Sequence, residues 1–222
     1  MAKDTALFEG IKQGTHGPTL RLYTWSEEAI TIGRGMGSFT NHQTPATGPL
    51  LVRPTGGGIV YHKTQDELTI AFTHYLERGQ PILDLYRKIH SPFADILREL
   101  GFNPQLFDPN VCHSRENGNP GPRLDREQTL DTRVRGYDEK NTKRATQSAL
   151  ECFPNPTCHD IMLDGKKIMG GGLRVGGKCF LYQGTLKLPN LKQEDFLEAL
   201  LQNQTFQNNW GMPIMKIISN VV

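Results

Sequence analysis

The stretch Arg53–His62, RPTGGGIVYH, sets three consecutive glycines directly ahead of the β-rich run Ile59, Val60 and Tyr61. Glycine loses more backbone freedom on ordering than any other residue, so three in a row before a strand mark a place where something approaches the main chain closely. Without Cβ atoms, successive N–H groups can form a nest for carboxylate or phosphate oxygens. Arg53 can add a charge-assisted contact to the same anion. The spacing is not that of a P-loop, which requires Gly-Lys-Ser/Thr, nor that of the dinucleotide fingerprint. Taken alone, these residues leave a structural glycine turn and a ligand cradle both open.

Working outward, TLRLYTW (19–25) and AITIGR (29–34) are β-rich runs separated by the polar SEE, which predicts a hairpin. Residues 35–50 are rich in Gly, Thr and Pro and read as a loop. GIVYH and ELTIAFTHY (67–75), joined by KTQD, form a second pair of strands. Ile82, Leu85, Tyr86, Ile89, Phe93, Ile96, Leu97 and Leu100 recur at spacings of three and four, predicting a helix over 81–100. Pro81 suits its first turn and Gly101 its end, whereas Pro92 is expected to kink or split it. Ordered structure is expected to resume at ATQSALECF (145–153). Beyond it, CHDIML, KKIMGGGLRV and KCFLYQGTLKL (178–188) read as strands with turns at Asp164-Gly165 and Gly176-Gly177. QEDFLEALLQ (193–202) is a short amphipathic helix. Strands in runs with helices set between them predict an α+β fold with a mixed, mostly antiparallel sheet.

The chain has 222 residues, which suits one domain spanning 1–222. Between residues 113 and 144 the texture changes: 14 of 32 residues are charged and only Leu124, Leu130, Val134 and Tyr137 are sizeable apolar ones. Such a segment buries too little to offset its ordering entropy, so a disordered insertion is expected there. A net charge of +2 implies no general affinity for polyanions, and no nucleic-acid partner is expected. The opening MAKDTALFEG lacks the apolar region of a signal peptide, and no run approaches a membrane span. A cytoplasmic protein is expected, with Cys112, Cys152, Cys158 and Cys179 as reduced thiols.

A second candidate site is CFPNPTCHDIMLDGKKIMGGG (152–172). Cys152 precedes two prolines, a rigid loop setting for a thiol. The Asp164-Gly165 turn can fold Lys167 back towards it, and an ammonium beside a thiol activates it. A free cysteine packed as a small hydrophobe is the alternative reading of the same residue. Cys112-His113 and Cys158-His159 supply four conceivable zinc ligands, but neither pair has the spacing of a zinc module. His62, ending its strand, reads alone as a hydrogen-bonded structural histidine, and His16, His42 and His90 carry no message.

In order along the chain, MAKDTALFE, LRLYTWSEEAITIGR, RPTGGGIVYH, ELTIAF, CFPNPTCHDIMLDGKKIMGGGLR and YQGTLKL resemble the lipoate-protein ligase and octanoyltransferase family, which belongs with the biotin protein ligases. The resemblance implies that Arg53, Gly56, Gly57, Gly58 and His62 sit at the acyl pocket, and that Lys167 contacts the activated carbonyl or its phosphate. CFPNP is similar to the Cys-Phe-x-x-Pro element of one transferase branch, which makes Cys152 the expected nucleophile. That branch takes an acyl group from acyl carrier protein and passes it, without a cofactor, to a lysine of a lipoyl domain. The acceptors it implies are the lipoyl domains of 2-oxoacid dehydrogenase complexes or the glycine cleavage H protein. The ligase branch instead uses ATP and Mg²⁺, and commonly carries Gly-Arg-Asn-Asp-Ile where this chain has TCHDI; many bacterial ligases also possess a C-terminal accessory domain for which this chain is expected to be too short. Departures are Gly35-Met36 in place of a glutamine, Val52 in place of a second arginine, and Leu173 in place of a polar pocket residue. With the long insert, they leave a catalytically impaired acyl-binding homologue as a further alternative.

Overall fold

The computed structural model describes residues 1–36, 48–108 and 151–210, together with the backbone of a strand at 217–221. The charged segment 113–144, Cys112-His113, His42 and residues 145–150 lie outside the described residues. In chain order the strands are β1 (Thr19–Thr24), β2 (Ala29–Ile32), β3 (Leu50–Val52), β4 (Val60–His62), β5 (Glu67–Tyr75), β6 (Gln105–Leu106), β7 (Ile161–Leu163), β8 (Lys166–Gly176), β9 (Cys179–Lys187) and β10 (Ile217–Val221). The helices are α1 (Ala2–Gln13), α2 (Ile82–Glu99), α3 (Gln193–Gln202) and α4 (Gln204–Trp210). A large sheet has the order β10-β1-β5-β9-β8-β7-β6, and a small one the order β3-β2-β4. Within the large sheet only the β1–β10 pair is parallel, so the fold is α+β with a mostly antiparallel sheet, as expected.

Strand alternation divides the side chains of the large sheet between two cores. Leu20, Leu22, Leu68, Ile70, Phe72 and Phe180 pack beneath α2, α3 and α4. Tyr23, Ala71 and Leu181, from the opposite face, pack against Phe8 and Ile11 of α1. The Asp164-Gly165 turn forms where expected, whereas the second turn lies one residue later than expected, at Gly177-Lys178, because Gly176 still pairs with Cys179. Asp164 and Gly165 both have positive φ, 49° and 75°, the requirement of the two-residue turn whose twist matches its strands.

The hairpin predicted between 19–25 and 29–34 does not form. β1 lies between β5 and β10, whereas β2 lies between β3 and β4 in the other sheet. All four residues of β2 and the first five of β1 are buried. A hairpin in one half-solvated sheet would expose a face of each strand; dividing them between two sheets covers both. The pair 58–62 and 67–75 is divided in the same way, β4 joining the small sheet and β5 the large.

Pro92 lies within α2 but does not split it; the helix runs unbroken from Ile82 to Glu99. A proline has no N–H for the carbonyl four residues earlier. That carbonyl, of Lys88, instead accepts from Asn209 Nδ2 of α4 at 3.4 Å. Sequence reading did not find α1, α4, β10 or the short strands β3 and β6. α1 has a weak apolar stripe, and its key interior residue is an aspartate. Among the described residues no helix is long and apolar enough to cross a membrane.

That aspartate, Asp4, is fully buried and accepts from Arg21 Nη1 at 2.6 Å, Tyr23 Oη at 3.0 Å and Gln183 Nε2 at 2.7 Å. The Arg21 guanidinium stacks 3.9 Å over the Tyr23 ring. Removing one partner of a buried ion pair strands the other charge in the interior. Asp4→Ala is therefore expected to lower stability by about 3–5 kcal/mol, measured as the loss in urea unfolding free energy relative to the unsubstituted chain.

Candidate active site

Between the two sheets lies a cavity of about 610 Å³. Arg53, Gly56, Gly57, Gly58, His62, Cys152 and Lys167, the residues singled out from sequence, all line it. Its apolar walls include Met1, Met36, Val60, Leu83, Tyr86 and Leu173.

The glycine motif is shaped by its own arginine. Arg53, 8% exposed, donates from Nη2 to the carbonyls of Gly58 at 2.8 Å and Gly56 at 3.3 Å, drawing both towards itself. From Nη1 it donates to the Thr31 carbonyl at 3.1 Å and the Thr31 hydroxyl at 2.7 Å. Gly57 has φ of 100°, which side chains rarely tolerate, and a Cβ there would stand 3.2 Å from Arg53 Nη2 and 3.6 Å from Cys152 Sγ. Other backbone also approaches this loop. A Cβ at Gly172 of β8 would meet the Gly56 carbonyl at 2.6 Å, and one at Gly33 would overlap the carbonyl of Gly57. Thr55, in the same loop, donates to Gln183 Oε1 at 2.9 Å, and Gln183 in turn holds Asp4. The motif is thus a turn packed on backbone as well as a cavity wall.

With both carbonyls drawn back, the Gly58 N–H faces Cys152 Sγ at 3.0 Å. Cys152 is held against this loop by its own N–H, which donates to the Ile59 carbonyl at 3.0 Å beside a bridge between Ile59 and Glu151. The Cys152 sulfur also faces the Arg53 guanidinium. Burial pushes Arg53 below its ordinary range, and the neighbouring sulfur is the main influence opposing that shift.

Lys167 reaches Cys152 at its backbone carbonyl, 2.9 Å from Nζ. Its ion-pair partner is Asp160, at 2.8 Å, and its side chain is 6% exposed. Asp160 is fixed in turn by the N–H and hydroxyl of Thr157, at 2.6 and 3.0 Å. The β7–β8 register slips by one residue next to Lys167, a bulge of the kind that re-aims side chains beside sites. The fold-back of Lys167 also needs Gly170, where a Cβ would overlap Lys167 Cε and crowd Asp160 Oδ1. Lys166, its neighbour, points to solvent. Cys158 lines the same cavity, its thiol pushed up by burial and by Asp108 and Asp160. Among the described residues no group of three His, Cys, Asp or Glu is placed to hold a metal ion.

Residues 1–221 match the family described as the lipoyl protein ligase A/B catalytic domain. The chain belongs to this family. Octanoyltransferase LipM of Kyrpidia tusciae is 25% identical over 194 residues, covering 85% of this chain and 61% of that protein. Its namesake from an Exiguobacterium species is 28% identical over 214 residues, covering 92% and 66%. The chain therefore spans about three fifths to two thirds of the length of the curated relatives it matches. A T. acidophilum protein solved with bound lipoic acid superimposes with a TM-score of 0.58 at 16% identity, over 100% of this chain and 85% of that one. A lipoate-protein ligase A bound with ATP gives a TM-score of 0.58 at 17% identity, over 98% and 81%. At such identities the likeness is one of fold.

Sequence reading passed over Thr31, Glu67, Asp160 and Gln183, because no local pattern distinguishes a buried polar strand residue from an exposed one. It also assigned nothing to His90, which in this family member is fully buried. His90 Nδ1 lies 2.7 Å from the His159 carbonyl and Nε2 2.7 Å from Tyr182 Oη. The carbonyl can only accept, so Nδ1 carries the proton and Nε2 accepts from the tyrosine. Burial pushes His90 down to about 4, against the opposing pull of the His159 carbonyl and Asp160. The unfolded chain protonates this histidine as pH falls through about 6.5, while the native state resists until about 4. Stability is therefore lost across that window. Between pH 7 and 5 the loss from this group is about 2 kcal/mol. Urea unfolding at the two pH values should show a smaller drop for His90→Gln, by that amount, than for the unsubstituted chain.

Proposed function

We propose that the protein transfers an octanoyl or lipoyl group to a lysine of lipoyl domains through an acyl-enzyme on Cys152. The observation that carries this reading is Cys152 Sγ in the wall of an acyl-sized cavity, 3.0 Å from the Gly58 N–H, with Lys167 Nζ 2.9 Å from the carbonyl of the same residue. Negative charge on the sulfur, needed for attack, is met by that N–H and by Arg53. Two N–H bonds of Lys167 hold Asp160 and the Cys152 carbonyl, and its third is available to a developing oxyanion.

In the first step the thiolate attacks the thioester carbonyl of acylated carrier protein, a carbon–sulfur bond forms to Cys152, and the carrier thiolate leaves. In the second a lipoyl-domain lysine amine attacks the acyl-enzyme, an amide forms, and the departing Cys152 sulfur takes up the amine's proton. Acceptors are the lipoyl domains of 2-oxoacid dehydrogenase complexes or the glycine cleavage H protein, and the setting is the cytoplasm, where the thiols remain reduced. No cofactor takes part in either step. An ATP-dependent lipoate ligase is the alternative; it would require ATP and Mg²⁺.

Incubation with octanoylated carrier protein is expected to add one octanoyl mass to the protein, removable by hydroxylamine, and then to modify an added lipoyl domain by intact mass. Cys152→Ser should abolish both signals and Lys167→Ala should lower the transfer rate at least 100-fold, the scale of losing one oxyanion donor. Cys179→Ser and Lys166→Ala should each stay within about threefold, since neither side chain lines the cavity. Full activity of Cys152→Ser with a requirement for ATP would replace the transferase by the ligase.

A further inference from the structure

Behind Arg53 runs a line of buried polar groups that the chemistry above does not use. His62 Nε2 lies 2.7 Å from Thr31 Oγ1, and His62 Nδ1 is bonded to Glu67 Oε1. Thr31 is fully buried, and the Glu67 side chain is 1% exposed. Glu67 Oε2 also accepts the Lys63 N–H at 3.2 Å. The His62 ring is stacked on Trp25 at 4.3 Å, which fixes its plane.

With His62 neutral, the donors along this line take one order. Arg53 only donates, so Thr31 Oγ1 accepts from Nη1. The Glu67 carboxylate only accepts, so Nδ1 carries the proton, and a neutral ring then leaves Nε2 bare to accept the Thr31 proton. An imidazolium would turn a second donor on Thr31 and leave the hydroxyl proton without its acceptor. The charged groups that face His62 are Glu67 from β5, Lys187 from β9, and Arg53. Burial holds His62 below its ordinary range, in keeping with a neutral ring.

We infer that Glu67, His62 and Thr31 are positioning residues that lock the Arg53 guanidinium against the Cys152 sulfur and the Gly56 and Gly58 carbonyls. In this arrangement His62 has both nitrogens engaged within the protein, so it acts on the reaction through Arg53 and not as a base on substrate. Glu67 sets the tautomer, His62 passes that polarity to Thr31, and Thr31 presents a lone pair to Nη1. The inference deepens the acyl-enzyme reading and rests on it for its catalytic meaning, but its test does not need acyl transfer to occur.

The test follows iodoacetamide alkylation of Cys152 in the intact chain, by peptide mass mapping, between pH 6 and 10. The thiolate is the reacting form, so the rate reports how well negative sulfur is supported. Thr31→Val keeps the shape and removes the hydroxyl. It is expected to slow alkylation of Cys152 about tenfold at pH 7, with the deficit closing towards pH 10 and no change at Cys158, and Thr31→Ser is expected to restore the rate. A folded Thr31→Val chain that alkylates with the unsubstituted profile overturns the inference, as does a loss that Thr31→Ser does not restore. Should Thr31→Val not fold, the pair His62→Gln and His62→Leu carries the same comparison. The glutamine oxygen can still accept from Thr31, so it should remain several-fold more reactive than leucine, and equal rates overturn the inference. Failure of octanoyl transfer by the unsubstituted chain would remove the acyl-enzyme reading and leave the alkylation result standing.

Discussion

The bonds from Arg53 to the carbonyls of Gly56 and Gly58 organise the centre of this protein. A run of three glycines has no intrinsic shape, because each residue can take either sign of φ at little cost. By gathering two carbonyls on one buried guanidinium, the chain turns the intervening N–H groups the other way. One of them, on Gly58, meets the Cys152 sulfur. The charge of Arg53 is itself costly to bury, and it is tolerated because the guanidinium also bonds the carbonyl and hydroxyl of Thr31 and faces the sulfur.

Around that point each element of the site is held by a partner from elsewhere in the fold. The large sheet reaches the glycine loop through Gln183 and Thr55, and α1 reaches Gln183 through Asp4. The β7–β8 hairpin delivers Lys167, but its direction depends on Asp160, on Thr157 and on the missing side chain of Gly170. Buried polar groups that are fully partnered specify one arrangement strongly, since any other leaves a donor or acceptor unsatisfied. The apolar part of the cavity lining, with Leu83, Tyr86 and Leu173, imposes no such geometry on what it covers.

Much of the secondary structure was legible because it rests on local physics. The apolar period of α2 and the Asp164-Gly165 turn are properties of a few adjacent residues. What misled was pairing. Two short β-rich runs with a polar link look like a hairpin, yet β1 and β2 lie in different sheets because both are buried on both faces. Pro92 removes a hydrogen bond from α2, but Asn209, more than a hundred residues away, satisfies the orphaned carbonyl. Local sequence contains neither fact.

From the sequence alone came the α+β class, the glycine motif with Arg53 and His62, and the pairing of Cys152 with Lys167 across a turn. These follow from residue chemistry at short range and from the ordered likeness to one family. The tertiary structure alone decided that Lys167 binds the Cys152 carbonyl while Arg53 faces the sulfur. It also decided that Glu67 and Thr31 fix His62, and that His90 is buried and hydrogen-bonded through both ring nitrogens. The physical reason is that a hydrogen bond is directional and a few ångströms long. Which of many polar side chains meet is set by how strands are shared between sheets, and that sharing is a property of the whole packed chain.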